Sequence, residues 1–125
     1  MHSEMTWRAG EVSLAIQAAP SREGFQQVVI SAARERFSAA RDSWLDAGDL
    51  ERFAGEVHRM WQDLAGTAEL NGDYGVDFSV KLAMSSGGHV DIEIEINQPW
   101  ASLRIEAETD QTYLPALRDG LLEIR

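Results

Sequence analysis

The sequence has no cysteine, only three prolines and no long apolar run in its 125 residues. Without cysteine, the chain has no disulfide bridge, thiolate metal site or thiol nucleophile. No apolar stretch approaches the roughly 20 residues that span a bilayer. The first residues, MHSEMTWRAGEVS, lack the basic and apolar segments of a secretory signal. These absences favour a cytoplasmic protein.

Basic residues are scarce as well. The chain has 21 acidic and 11 basic residues, for a formal net charge of -10. A surface of this sign repels nucleic acids and anionic membranes, so we expect neither as a partner, and it attracts cationic proteins. Acidity that serves solubility alone would give the same composition. The apolar content of 44% is typical of a folded chain, and the length fits a single domain over 1–125.

Apolar periodicity divides the chain into strands and two helices. Residues 25–34 and 37–44 favour strands because they contain β-branched and aromatic residues, although their Ala and Arg content would also permit a helix. Apolar residues at helical spacing predict a helix over about 49–65, with Asp46 or Asp49 as its cap. The other predicted strands are 11–19, 67–72, 76–84, 89–97 and 100–108, and the second helix covers about 110–123. No internal repeat is visible. The predicted fold is α+β, a single antiparallel β-sheet with both helices packed on it.

The segment HVDIEIEIN (89–97) alternates a polar and an apolar side chain at every position. If Met84 pairs with Val90, every apolar residue of 76–84 faces an apolar residue of 89–97, and Lys81 faces Glu93. If Ile96 pairs with Ala101 in the next hairpin, Glu93 also faces Arg104. This register predicts an exposed triad of Lys81, Glu93 and Arg104, typical of a solvated sheet face.

The same register brings two like charges together, because it places Asp91 opposite Glu106. His89 and Glu108 would lie beside them at one edge of the sheet. Such a cluster could bind a basic protein, hold a divalent metal, or be plain solvated surface. Metal sites of this type normally show a second histidine or a tighter spacing, and neither is present. We predict no cofactor and no catalytic residue. The four tryptophans are expected in core or edge packing; they are Trp7, Trp44, Trp61 and Trp100.

Three motifs resemble those of small bacterial immunity proteins of cell-wall-associated, contact-dependent toxin systems. They are the helix start Asp49–Phe53, the strand start with Gly66, Ala68 and Leu70, and the second helix start Asp110–Leu114. The resemblance covers about residues 25–124. It implies a protein that binds and neutralises a toxin encoded beside it, with no catalytic residue to transfer.

The leading hypothesis is therefore a non-enzymatic binding protein that neutralises a cationic toxin domain through an acidic surface. Its candidate contacts are Asp91, Glu95, Glu106 and Glu108, with His89 at the margin. One alternative is a small-ligand or metal-binding enzyme that uses the cluster of His89, Asp91 and Glu106. Another is a homo-oligomer joined through an uncovered sheet edge or a tryptophan patch. The sequence does not fix the oligomeric state.

Overall fold

The computed structural model describes residues 2–125, which form eight strands and two α-helices. In chain order these are β1 (Ser3–Ala9), β2 (Val12–Ala18), β3 (Phe25–Arg34), β4 (Phe37–Asp46), α1 (Asp49–Asp63), β5 (Gly66–Gly72), β6 (Phe78–Met84), β7 (His89–Gln98), β8 (Ala101–Asp110) and α2 (Leu114–Ile124). Short 3₁₀ turns, Asp73–Gly75 and Gln111–Tyr113, precede β6 and α2.

The strands form two antiparallel four-stranded sheets, so the prediction of a single sheet is wrong. The first sheet has the order β1-β2-β3-β4, and the second has the order β5-β6-β7-β8. Alternation reveals which side chains share a face and which neighbouring strands make hairpins. It does not reveal whether two sets of hairpins join edge to edge, and here α1 separates them. The α+β class is confirmed.

The same series of elements, four meandering strands and then a helix, occurs twice along the chain. The first repeat comprises β1 to α1 and the second comprises β5 to α2. This repeat was not visible in the sequence because it is one of backbone and pairing, with no shared motif. The two repeats are interlocked. The helix α1 packs against α2 and β5, and α2 packs against α1 and β1.

The N-terminal strand β1 was also missed. Its alternating residues Met5, Trp7 and Ala9 face the core, and Trp7 is only 2% exposed. The Trp7 indole N–H donates a hydrogen bond of 2.8 Å to the carbonyl oxygen of Tyr113, just before α2. The alternation of these three residues was visible in the sequence and could have identified the strand.

The strands predicted over 25–34 and 37–44 and the helix over 49–65 are confirmed. The expected cap of α1 is wrong, because Gly48 is its N-cap residue, with φ of 90°, and no side chain caps it. The second helix begins later than predicted, at Leu114, after a turn that Asp110 caps. No helix within residues 2–125 is long and apolar enough to cross a membrane.

A polar clasp joins the repeats where β4 approaches β7. Arg41 on β4 forms an ion pair of 2.9 Å with Asp77, which lies just before β6 and is buried. The hydroxyl of Ser43 donates to the other carboxylate oxygen at 2.8 Å. Arg41 also donates to the carbonyl oxygen of Asn97 at 2.9 Å and to the side-chain oxygen of Gln98 at 3.1 Å. The two sheets are therefore held in one arrangement by directional bonds as well as by the shared core.

Candidate functional site

The outer face of the second sheet carries most of the candidate residues. Its apolar side chains point inward, so the alternate residues of β5 to β8 point to solvent in rows across the strands. We call this surface the acidic face. From one end to the other, its three complete rows are Thr67-Ala83-Asp91-Glu108, Glu69-Lys81-Glu93-Glu106 and Asn71-Ser79-Glu95-Arg104. His89 and Asp110 form a further pair beyond the first row.

The predicted register between β6 and β7 is confirmed at every pair, including Met84 with Val90 and Lys81 with Glu93. The predicted register between β7 and β8 is wrong by two residues, because Ile96 pairs with Leu103. The strands continue to Gln98 and Ala101 and leave a turn of only two residues. A shift of two keeps every apolar side chain on the inner face, so apolar matching could not distinguish the two registers.

The corrected register changes which charges meet. Glu106 faces Glu93, and Asp91 faces Glu108. The predicted triad survives in part, since Arg104 lies 3.3 Å from Glu93 and 2.9 Å from Glu106. Lys81 instead approaches Glu69 at 3.9 Å. The row through the middle of the face thus holds three carboxylates and one lysine, and Arg104 bridges two of these carboxylates diagonally.

His89 lies between two carboxylates at the end of the acidic face. Its Nε2 atom is 3.2 Å from Asp91 and 3.6 Å from Glu108. One ligand atom from each of the three residues lies within 4.8 Å of the others, so they could hold a divalent cation. The cluster predicted from the sequence also contained Glu106, which instead pairs with Arg104. All three side chains are exposed, so a bound ion would stay open to water.

The neighbouring carboxylate of Asp110 accepts hydrogen bonds from the hydroxyl and the backbone N–H of Thr112. These bonds, the one from the hydroxyl first, lower the pKa of Asp110 below its ordinary value because they favour the charged form. From the sequence, Asp110 was assigned only to the start of the second helix. Its position opposite His89 makes it an additional negative charge at this end of the face.

The acidic face is concave and forms an open trough of about 880 Å³. The trough is lined by Glu69, Lys81, Asp91, Glu93, Glu106 and Glu108, among others, and also by Arg34 of the first sheet. Arg34 donates a hydrogen bond to the backbone oxygen of Glu106. Glu69 and Arg34 were not among the residues predicted from the sequence. Alternation along TAEL places Glu69 on this face, whereas contact by Arg34 depends on how the two sheets meet.

The five residues predicted as partner contacts lie on this one face. They are His89, Asp91, Glu95, Glu106 and Glu108. Glu95 is half-buried and sits opposite Arg104, and the other four are exposed. Carboxylates in an open, solvated trough can bind a cationic surface.

The fold resembles two solved structures of low sequence identity. A chain of the crystal structures of Trypanosoma bruciei MRP1/MRP2 is 13% identical with a TM-score of 0.50, over 98% of this chain and 82% of that one. A chain of the plant transcriptional regulator PBF-2 is 9% identical with a TM-score of 0.50, over 99% of this chain and 80% of that one. At such identities the likeness concerns the fold alone. Among curated proteins, no sequence matches this chain.

The sequence itself gives a more specific result. The profile of the immunity protein WapI-like family matches residues 26–125, most of the chain, from the second residue of β3 to the C-terminus. The matched region includes α1 and the whole second repeat, and therefore every strand of the acidic face. The resemblance to immunity proteins is confirmed, and the chain belongs to the immunity protein WapI-like family.

Proposed function

We propose that this protein is a non-enzymatic immunity protein that binds a basic toxin domain through the acidic face and blocks it. The family supplies the general role, neutralisation of a toxin. The observation that supports this particular surface is the concentration of carboxylates in one open trough. In the matching rows of the first sheet, the interior positions are uncharged.

The proposed contacts are Asp91, Glu106 and Glu108 at the trough, with Glu95 further along and His89 at the margin. Like charges face each other at Asp91 with Glu108 and at Glu93 with Glu106. Such pairs are unfavourable within the free protein, although Arg104 offsets the repulsion between Glu93 and Glu106. Lysine or arginine side chains of a partner that enter the trough would relieve this repulsion, so binding is favoured by electrostatics both at long range and on contact.

Long-range attraction acts mainly on the association rate. A negative trough attracts a cationic domain and raises its rate of encounter. Salt at 0.1 M weakens this attraction at distances beyond about 10 Å. Once bound, the immunity protein would cover the basic surface of the toxin. A toxin that acts on an anionic substrate needs that surface exposed. Neutralisation then requires no chemistry by the immunity protein itself.

The experiment uses the purified chain and the toxin domain encoded next to its gene. We expect a stable complex in which the toxin is inactive. The double variant Asp91→Lys/Glu106→Lys should associate about tenfold more slowly at low salt, with a weaker salt dependence. The control is Glu4→Lys/Asp42→Lys, which makes the same change in charge on the first sheet and should retain nearly the wild-type rate. An unchanged rate for the first variant would exclude the acidic face, and absence of any complex would exclude the function.

A further inference from the structure

Trp100 is the most exposed large apolar side chain of the described residues, at 82%. It forms the two-residue turn of the β7–β8 hairpin with Pro99, between the last paired residues Gln98 and Ala101. This overturns the expectation that all four tryptophans pack in the core or at its edge. Trp7 shows the contrast, because its ring is buried and its indole N–H is hydrogen-bonded.

The hairpin that carries Trp100 is held firmly close to its tip. The side chain of Gln98 donates to the carbonyl oxygen of Ala40 at 3.0 Å, and Arg41 donates to both Asn97 and Gln98. Asn97 in turn donates from its backbone to Asp77 at 2.9 Å and from its side chain to Val76 at 3.1 Å. The polar clasp between the repeats therefore also fixes the base of this turn. The backbone that carries the exposed indole is thus preorganised, which lowers the entropy that binding would cost.

The turn is continuous with the acidic face but is itself uncharged. The same two strands that carry Glu93, Glu95 and Glu106 lead directly into the turn. The strand advances about 10 Å from Glu95 to Gln98. One protein–protein interface of standard size is therefore wide enough to include both the acidic face and the turn. The segment INQPWASL, residues 96–103, contains no charged residue in a chain in which 26% of residues are charged. A neutral aromatic tip beside a charged trough matches the anatomy of protein interfaces, in which a desolvated aromatic anchor adjoins a polar area.

We infer that Trp100 is the apolar anchor of the toxin complex, and that it inserts into an uncharged pocket beside the basic surface that the acidic face binds. This inference rests on the proposed function and deepens it. The two parts of the surface would contribute differently. Carboxylates of the trough accelerate association, whereas burial of the indole slows dissociation, since most of the effect of an interface anchor is on the dissociation rate.

Binding kinetics with the neighbouring toxin domain test this division. Trp100→Ala should raise the dissociation rate roughly tenfold or more and change the association rate less than about twofold. Trp100→Phe should fall between Trp100→Ala and the wild type. The matched control is Trp61→Ala, which removes the same side chain from α1 and should leave both rates near wild type. Since Trp100 has little to pack against, circular dichroism and urea unfolding should show that Trp100→Ala is folded like the wild type.

The outcomes separate this inference from the proposed function. If the toxin domain binds the wild type and Trp100→Ala dissociates at the same rate, the anchor is excluded while the function stands. If Trp61→Ala raises the dissociation rate as much as Trp100→Ala does, the anchor is also excluded. A wild-type dimer in sedimentation that Trp100→Ala converts to a monomer would assign the turn to a second copy of this chain and overturn the inference. If the wild type does not bind the toxin domain, the function and the anchor fail together.

Discussion

The outer faces of the two sheets are built on the same plan, yet they carry different chemistry. The row of the first sheet that matches Glu69-Lys81-Glu93-Glu106 is Thr6-Ala15-Ser31-Ala40. The row that matches Asn71-Ser79-Glu95-Arg104 is Arg8-Ser13-Ala33-Ser38. In these two rows, small neutral residues thus stand in the first sheet where four carboxylates and two cations stand in the second.

This difference shows which side chains the fold requires and which it leaves free to vary. Both sheets keep apolar residues on the inner face, because that face builds the core. Neither outer face is constrained in that way, since each is open to water. The small residues of the first sheet show that the architecture does not need charges there. The requirements of the fold therefore do not account for the concentration of carboxylates on one of two equivalent surfaces.

The largest effect on stability should come from the clasp that holds the repeats together. Asp77→Ala leaves the guanidinium of Arg41 without its buried carboxylate partner, and we expect a loss of about 2–3 kcal/mol in the free energy of unfolding. The exposed pair on the acidic face is the comparison, and Glu106→Ala should cost less than about 0.5 kcal/mol. Urea unfolding of both variants measures the difference. Equal losses would mean that the clasp contributes no more than a surface pair.

The repeats also differ at the last residue of their first strands, where Gly72 stands in the place of Ala9. A Cβ atom on Gly72 would lie 2.1 Å from the ring of Phe78 and 2.6 Å from Ser43. Gly72→Ala should therefore destabilise the protein by about 1–3 kcal/mol through overpacking, even though alanine occurs at the matching position of the first repeat. Thermal or urea unfolding checks this expectation. A neutral or stabilising effect would show that Phe78 moves aside at little cost.

A smaller effect concerns how the two helices begin. No side chain caps α1, whereas Asp110 caps the turn before α2 through its bonds from Thr112. Because these bonds lower the pKa of Asp110 in the folded state, its contribution to stability is present above the unfolded pKa of about 3.9. That contribution is lost as the pH falls through the folded pKa.

Thr112→Val removes the bond from the hydroxyl, which is the larger cause, and keeps the one from the backbone. The pKa of Asp110 should rise toward its ordinary value without reaching it. Carbon-13 NMR titration of the side-chain carboxylate provides the measurement. A titration curve that does not move would assign the lowered pKa to another group.

Much of the second repeat could be predicted because local patterns determine it. Apolar alternation and the Gly87-Gly88 turn fix the β6–β7 register, since a slip by one residue would expose the isoleucines. The β7–β8 register could not be fixed in the same way, because a slip by two residues preserves both faces. The strands there lengthen until only Pro99 and Trp100 remain in the turn. As a result, the sequence placed the candidate residues on one face, while the partners it predicted for them between β7 and β8 were wrong.

The division into two sheets could not be predicted for a different reason. It depends on long-range contacts, such as α1 against β5 and Arg41 with Asp77, which leave no periodic signal in the sequence. Trp100 illustrates the same limit. Tryptophan is usually buried, so the residue type alone predicts burial of Trp100. Its exposed ring results from its position in the two-residue turn, which the sequence did not reveal.

The most direct test of the acidic face compares two matched charge reversals. Glu108 and Asp42 occupy the same position on the fourth strands of the second and first sheets, and both are exposed. Glu108→Lys and Asp42→Lys therefore change the net charge equally and differ only in the face that carries the change. The quantity to measure is the association rate with the neighbouring toxin domain at low salt. The account predicts that Glu108→Lys slows association about threefold while Asp42→Lys stays near wild type. Equal rates for the two variants would show that only the total charge matters and would contradict a binding site on the acidic face.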